Sequence, residues 1–85
     1  MAVYKVFFKE SVRQDLGDIP KKDLKRILSR IKSLAADPRP PGCERLTGQD
    51  RYRLRQGRYR IVYAIQDEEH VVTVVKVGHR KDIYR

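Results

Sequence analysis

Residues 51–65, RYRLRQGRYRIVYAI, decide how this chain folds. In 51–56 basic and apolar residues alternate. An extended strand therefore places Arg51, Arg53 and Arg55 on one face and Tyr52 and Leu54 on the other. In 59–65, Tyr59, Ile61, Tyr63 and Ile65 share a face, and Arg60 joins Val62 and Ala64 on the opposite one. The intervening glycine marks a hairpin turn. A two-residue loop at Gly57-Arg58 sets Arg55 opposite Arg60; a loop at Gln56-Gly57 sets Arg53 there instead. Either register collects Arg53, Arg55 and Arg60 on one face, against Tyr52, Leu54, Tyr59, Ile61 and Tyr63. A three-residue loop would turn arginines toward the packed face, which burial disfavours.

Downstream, residues 71–77 (VVTVVKV) are apolar on both faces, the pattern of a central strand, and residues 67–70 supply a turn. Upstream, residues 21–36 carry Leu24, Ile27, Leu28, Ile31, Leu34 and Ala35 on one helical face. Lys22, Lys25, Arg26, Ser29, Arg30, Lys32 and Ser33 fall on the other, a solvated or nucleic-acid-facing surface. Pro20 stands at the start of this helix, and Asp37-Pro38-Arg39-Pro40-Pro41-Gly42 ends it in a loop. Residues 3–8 (VYKVFF) read as a strand. Ser11 to Gln14 fits a capping box with Ser11 as N-cap. It opens a short helix carrying Val12 and Leu16 and closing at Gly17. The order is β-α-α-β-β-β. The expected fold is α+β, a small, mainly antiparallel sheet with an αα-hairpin on one face.

Eighty-five residues suffice for one core, so 1–85 is a single domain. No apolar stretch approaches the length of a membrane span, and the N-terminus lacks signal-peptide features. The lone Cys43 cannot form an internal disulfide, and one cysteine with two histidines does not make a structural zinc site. A cytoplasmic protein without metal or other cofactor is expected. His70, within the acidic turn, reads as structural or exposed.

The 20 Lys and Arg against 11 Asp and Glu leave a net charge of +9, which favours a polyanionic partner. Arg39, Arg45, Arg51, Arg53, Arg55, Arg58 and Arg60 crowd one region, opposed there by Glu44 and Asp50 alone. The carboxylates of Asp67, Glu68 and Glu69 read as lying away from these arginines. Guanidinium groups match phosphate oxygens and stay charged when desolvated. Like charges across a ladder are unfavourable, so such a cluster points to anion binding rather than stability. A second basic and aromatic set, His79, Arg80, Lys81, Tyr84 and Arg85, follows the central strand at Gly78.

The hairpin quoted above, together with LTG before it and VVTVVKVGHRKDIYR after it, resembles the RelE/ParE superfamily of type II toxin–antitoxin toxins. The resemblance spans nearly the whole chain. It implies a RelE-like fold of the microbial-RNase type. RelE-like members are ribosome-dependent, metal-independent mRNA endonucleases that use the 2′-hydroxyl as nucleophile and so inhibit translation. ParE-like members instead inhibit DNA gyrase without enzymatic activity, and an inactive RNA-binding homologue is a third alternative. The resemblance implies as partners a cognate antitoxin, mRNA on the ribosome and rRNA. The +9 surface fits an antitoxin that is acidic and partly disordered.

By position, the resemblance assigns Arg53, Arg55, Arg60, Arg80 and Tyr84 to the catalytic set, and His79 is added as a proton-transfer group. Arg51, Arg58, Lys81 and Arg85 are the expected RNA-binding residues. The chain departs from well-known RelE-like toxins in carrying arginine where they carry lysine at 53 and 55. Arginine is a poor general base because its neutral form is negligible at neutral pH. Proton transfer is therefore expected of Tyr84, His79 or Lys81.

Overall fold

A computed structural model describes residues 3–46, 48 and 50–79. The expected hairpin forms between β3 (Arg51–Gln56) and β4 (Tyr59–Gln66), closed by the two-residue loop Gly57-Arg58. Gly57 has φ +61°, at the first central position, as type II′ hairpin turns require. Of the two registers open from sequence, this loop selects Arg55 opposite Arg60, with Arg53 opposite Val62.

The remaining strands are β1 (Lys5–Phe8), β2 (Glu44–Arg45) and β5 (Val71–His79), and the five form one sheet in the order β1-β5-β4-β3-β2. The sheet is mixed: β1 runs parallel to β5 and every other pair is antiparallel. The parallel pair is possible because two helices carry the chain across between β1 and the later strands. They are α1 (Glu10–Gly17) and α2 (Lys21–Ser33). α1 packs on β5, and α2 on β3 and β4.

The helix-facing side of the sheet is the core. Val12, Ile27, Ile31 and Leu34 meet Leu54, Ile61, Tyr63, Val72, Val74 and Val77, all at most 1% exposed. Each buried aliphatic side chain contributes roughly 1.5–3 kcal/mol. Leu28, expected on the apolar face of α2, is 40% exposed at the margin of that face. In β5, Val75 is an extra residue between the pairs Val62–Lys76 and Tyr63–Val74. This bulge shifts the alternation, so that Val72, Val74 and Val77 all reach the core.

Three expectations need correction. α1 begins at Glu10 with Lys9 as N-cap, and no side chain caps it, so Ser11 is not the cap. The Lys9 amide still donates to the Val74 carbonyl as an extension of β1, and its own carbonyl accepts the Val12 N–H. The helix therefore starts one residue before Ser11. α2 ends at Ser33 rather than running to residue 36, with Leu34 as C-cap. The acidic turn is not remote from the arginines. Asp67 takes a bidentate ion pair from Arg39, at 3.1 and 2.8 Å, and the Tyr4 hydroxyl also donates to it, at 2.8 Å.

Arg39 ties the loop after α2 to the sheet. Its Nε donates to the Tyr52 hydroxyl at 3.1 Å, and its guanidinium lies 5.1 Å from the Tyr52 ring centroid. Tyr52 stacks on Tyr63, whose buried hydroxyl donates to the Pro38 carbonyl at 2.8 Å. Arg39 is thus engaged in holding the fold. His70, at φ +55°, packs its ring edge-on against Tyr4. Among the described residues no helix is long and apolar enough to cross a membrane.

Candidate anion-binding site

On the face of the sheet away from the helices, alternation in β3 and β4 brings Arg53, Arg55 and Arg60 together. They line a cavity of about 300 Å³, joined by Arg30 from α2 and by Glu44 from β2. Arg60 is 4% exposed, although it is charged. Its neighbours across the ladders are Arg55 on β3 and Gly78 on β5. Val62 is also buried on this face, flanked by Arg53 and Lys76 as cross-strand partners.

Glu44 enters the site because β2 pairs with β3 in a register that sets it opposite Arg53. Arg53 Nη2 donates to Glu44 Oε2 in a short ion pair. This hydrogen bond, the positive charge of Arg53 and the further charges of Arg55 and Arg60 hold the Glu44 carboxyl below the usual carboxylate range. Among the described residues that line the cavity, one carboxylate faces four guanidinium groups, a strongly cationic lining. A partly enclosed site of this kind favours a phosphate-sized anion, because charge-assisted donors are already gathered where the negative charge would sit.

The other sequence-derived site residues lie elsewhere. Arg51 is exposed and lines a separate depression with Arg39, Arg45, Asp50 and Asp67. There Arg45 pairs with Asp50 at 3.2 Å. Arg58 is exposed at the hairpin tip. His79 is not brought to the arginine cavity. It pairs with Tyr59 across the ladder, and the two rings meet edge-on at 5.8 Å. Together they line a depression with Asp15, Asp18 and Ile19 on the α1 side of the sheet. The bulge at Val75 sets this parity: Gly78 faces the arginine side, and His79 the helix side. Arg80, Lys81, Tyr84 and Arg85 lie outside the described residues.

Two residues of the cavity were not singled out from sequence. Arg30 was legible only as part of the basic face of α2. Glu44 carried no signal, because a two-residue strand has no periodicity to read. Among the described residues, no group of three or more His, Cys, Asp or Glu is placed to hold a metal ion.

Comparison with known proteins places these features among toxins. A family model described as the ParE toxin of the type II toxin–antitoxin system parDE matches residues 6–84. Toxin RelG of Mycobacterium tuberculosis is 34% identical over 86 residues, covering 96% of this chain and 97% of RelG. The RelBE2 toxin–antitoxin complex of the same organism contains a chain that superposes with a TM-score of 0.81 at 28% identity. That match covers 93% of this chain and all of the other (100%). The archaeal RelE–RelB complex of Pyrococcus horikoshii gives 0.79 at 28% identity, covering 92% and 96%.

Proposed function

The chain belongs to the ParE-toxin family of the RelE/ParE superfamily, toxins of type II toxin–antitoxin systems, and from that premise we propose that it is a ribosome-dependent mRNA endonuclease. The observation that carries this reading is the convergence of Arg53, Arg55 and Arg60 in one cavity on the open face of the sheet. In the proposed reaction the 2′-hydroxyl of a nucleotide attacks the adjacent phosphorus and the 5′-oxygen leaves, giving a 2′,3′-cyclic phosphate. The phosphorus passes through a state carrying additional negative charge on its oxygens. Three fixed guanidinium groups stabilise that charge more than they stabilise the starting diester, which is what accelerates the step. Arg80 and Tyr84 join them in this proposal as a further phosphate contact and a group that stacks on or orients the nucleotide. The basic face of α2, reached through Arg30, extends the positive surface toward rRNA or mRNA.

That related toxins form complexes with their antitoxins supports an antitoxin as the protein partner, and in our reading it masks the cationic face. An acidic, partly disordered antitoxin segment would neutralise the arginines and fold upon them.

The second reading is a gyrase-directed toxin, and the observation in its favour is the ParE description of the matching family. Inducible expression separates the two. The endonuclease cuts messages in vivo and leaves plasmid supercoiling intact. Loss of supercoiling with uncut messages assigns the chain to the gyrase class. Arg53→Ala and Arg60→Ala, checked for folding by circular dichroism, are expected to relieve growth inhibition.

A further inference from the structure

We propose that Phe7 and Arg51 frame a nucleotide subsite beside the arginine cavity, Phe7 stacking on the base and Arg51 holding the phosphate of an mRNA nucleotide next to the cut; the inference rests on the endonuclease reading above. The two residues lie far apart in the chain but share one row of the sheet. Phe7 pairs with Thr73, Thr73 with Ala64, and Ala64 with Arg51. Cross-strand partners share a face, so all four stand on the helix-free side with Arg53, Arg55 and Arg60.

The row has the shape such a subsite needs. Its end residues are long and exposed, and its middle residues are small and half-buried. Neighbouring strands lie about 4.8 Å apart, so the shelf from Phe7 to Arg51 is about 14 Å across, room for one nucleotide. Arg51 precedes Arg53 by two residues on the same strand, about 6.7 Å along β3. That step is close to the spacing of successive phosphates in an extended strand, so a diester held at Arg53 brings its neighbour to Arg51. Lys5 stands beside Phe7 on the same face and adds positive charge. The carboxylates that share the Arg51 depression are engaged, Asp50 by Arg45 and Asp67 by Arg39.

Phe7 has no task in the core. It is 52% exposed, and among the described residues it is the one large exposed hydrophobic side chain that strand pairing sets on this face. Phe8 alternates to the helix side, opposite buried Val74, and Leu28 belongs to α2. An aromatic ring beside a cationic track takes up single-stranded RNA by stacking, whatever the base, because every base presents a π-face. Charge selects this occupant over a second copy of the chain. Lys5 and Arg51, at the two ends of the shelf, repel another molecule of charge +9 and attract a polyanion.

Phe7→Ala removes the ring and Phe7→Tyr keeps it; both are checked for folding by circular dichroism. The probe is a ribosome programmed with a message that cannot be cut, because one 2′-deoxynucleotide stands at the cut site. Companion messages carry an abasic site at one or the other position flanking the cut. Phe7→Ala should bind the complete message about 10-fold or more weakly than wild type, and Phe7→Tyr should match wild type. One abasic message should cause the same loss in wild type and no further loss in Phe7→Ala, since ring and base act only together. Arg51→Gln should weaken the complete and abasic messages alike. Affinity of Phe7→Ala within about twofold of wild type overturns the inference, whether or not the variant binds an acidic protein partner less well. A wild type indifferent to both abasic sites overturns it without recourse to any variant. So does a loss in Phe7→Ala that is equal on the complete and every abasic message, the mark of a structural role. On the same message with its 2′-hydroxyl restored, a wild type that does not cleave overturns the endonuclease reading and the subsite with it. A wild type that cleaves, with Phe7→Ala binding unimpaired, overturns the subsite alone.

Discussion

Arg55 and Arg60 stand directly opposite one another across β3 and β4, two like charges paired on the open face of the sheet. Such a pair costs the fold roughly 0.2–1 kcal/mol. A protein that keeps it gives up stability for a surface that gathers negative charge, the exchange expected of a binding site and not of a scaffold.

Arg55 is the exposed member of that pair, so stability and activity should separate there. Arg55→Gln is expected to raise unfolding stability by roughly 0.2–1 kcal/mol. The same change should cut messenger cleavage by about 10²–10³, as loss of one charge-stabilising donor does. Urea denaturation and a cleavage assay on one preparation check both. A variant that is less stable and fully active would contradict the assignment of Arg55.

The hydroxyl of Tyr63 donates to the Pro38 carbonyl inside the protein, and burial pushes its pKa well above the usual phenol value. Tyr63→Phe removes the donor and leaves that carbonyl without it. The expected loss is about 0.5–1.5 kcal/mol, seen as a lower denaturant midpoint with an unchanged slope. An unaltered midpoint would mean that the loop after α2 is not anchored through this bond.

Asp67 supplies the pH dependence. The hydrogen bonds from Arg39, and next from Tyr4, hold its carboxyl down to about 2 from an ordinary value of 3.8. The folded state thus binds this proton less readily than the unfolded chain. The stabilisation from Asp67 is complete above the ordinary value and is lost as pH falls through about 2. Thermal melts should place Asp67→Asn below wild type at pH 7, with the gap narrowing steadily as the pH falls below about 4. A gap that persists unchanged to the lowest pH would remove the ion pair with Arg39 as its cause.

The arginine face was legible in the sequence because period-2 alternation and a short glycine loop leave little freedom in the hairpin. Both registers open to it put Arg53, Arg55 and Arg60 together. α2 was legible for a similar reason, its apolar residues recurring along one helical face. What escaped was set by longer-range contacts. The bulge at Val75 turned His79 to the helix side, and an apolar run such as VVTVVKV gives no sign of where an extra residue will sit. The start of α1 was decided by a ladder bond from Lys9 to Val74 rather than by the local capping pattern. Glu44 came to Arg53 through a two-residue strand whose pairing is tertiary. The bond between Arg39 and Asp67 joins residues far apart in the chain, so two charge clusters that read as separate proved to be in contact.

The central claim is that the arginine cavity cleaves RNA through a cyclic phosphate. Its most direct test is the chemistry of the ends left on a defined message, incubated with the purified protein with and without translating ribosomes. The account predicts cuts only in the presence of ribosomes, leaving a 2′,3′-cyclic phosphate on the upstream fragment and a 5′-hydroxyl on the downstream one. Intact messages under these conditions, or fragments bearing a 5′-phosphate and a 3′-hydroxyl, would contradict it.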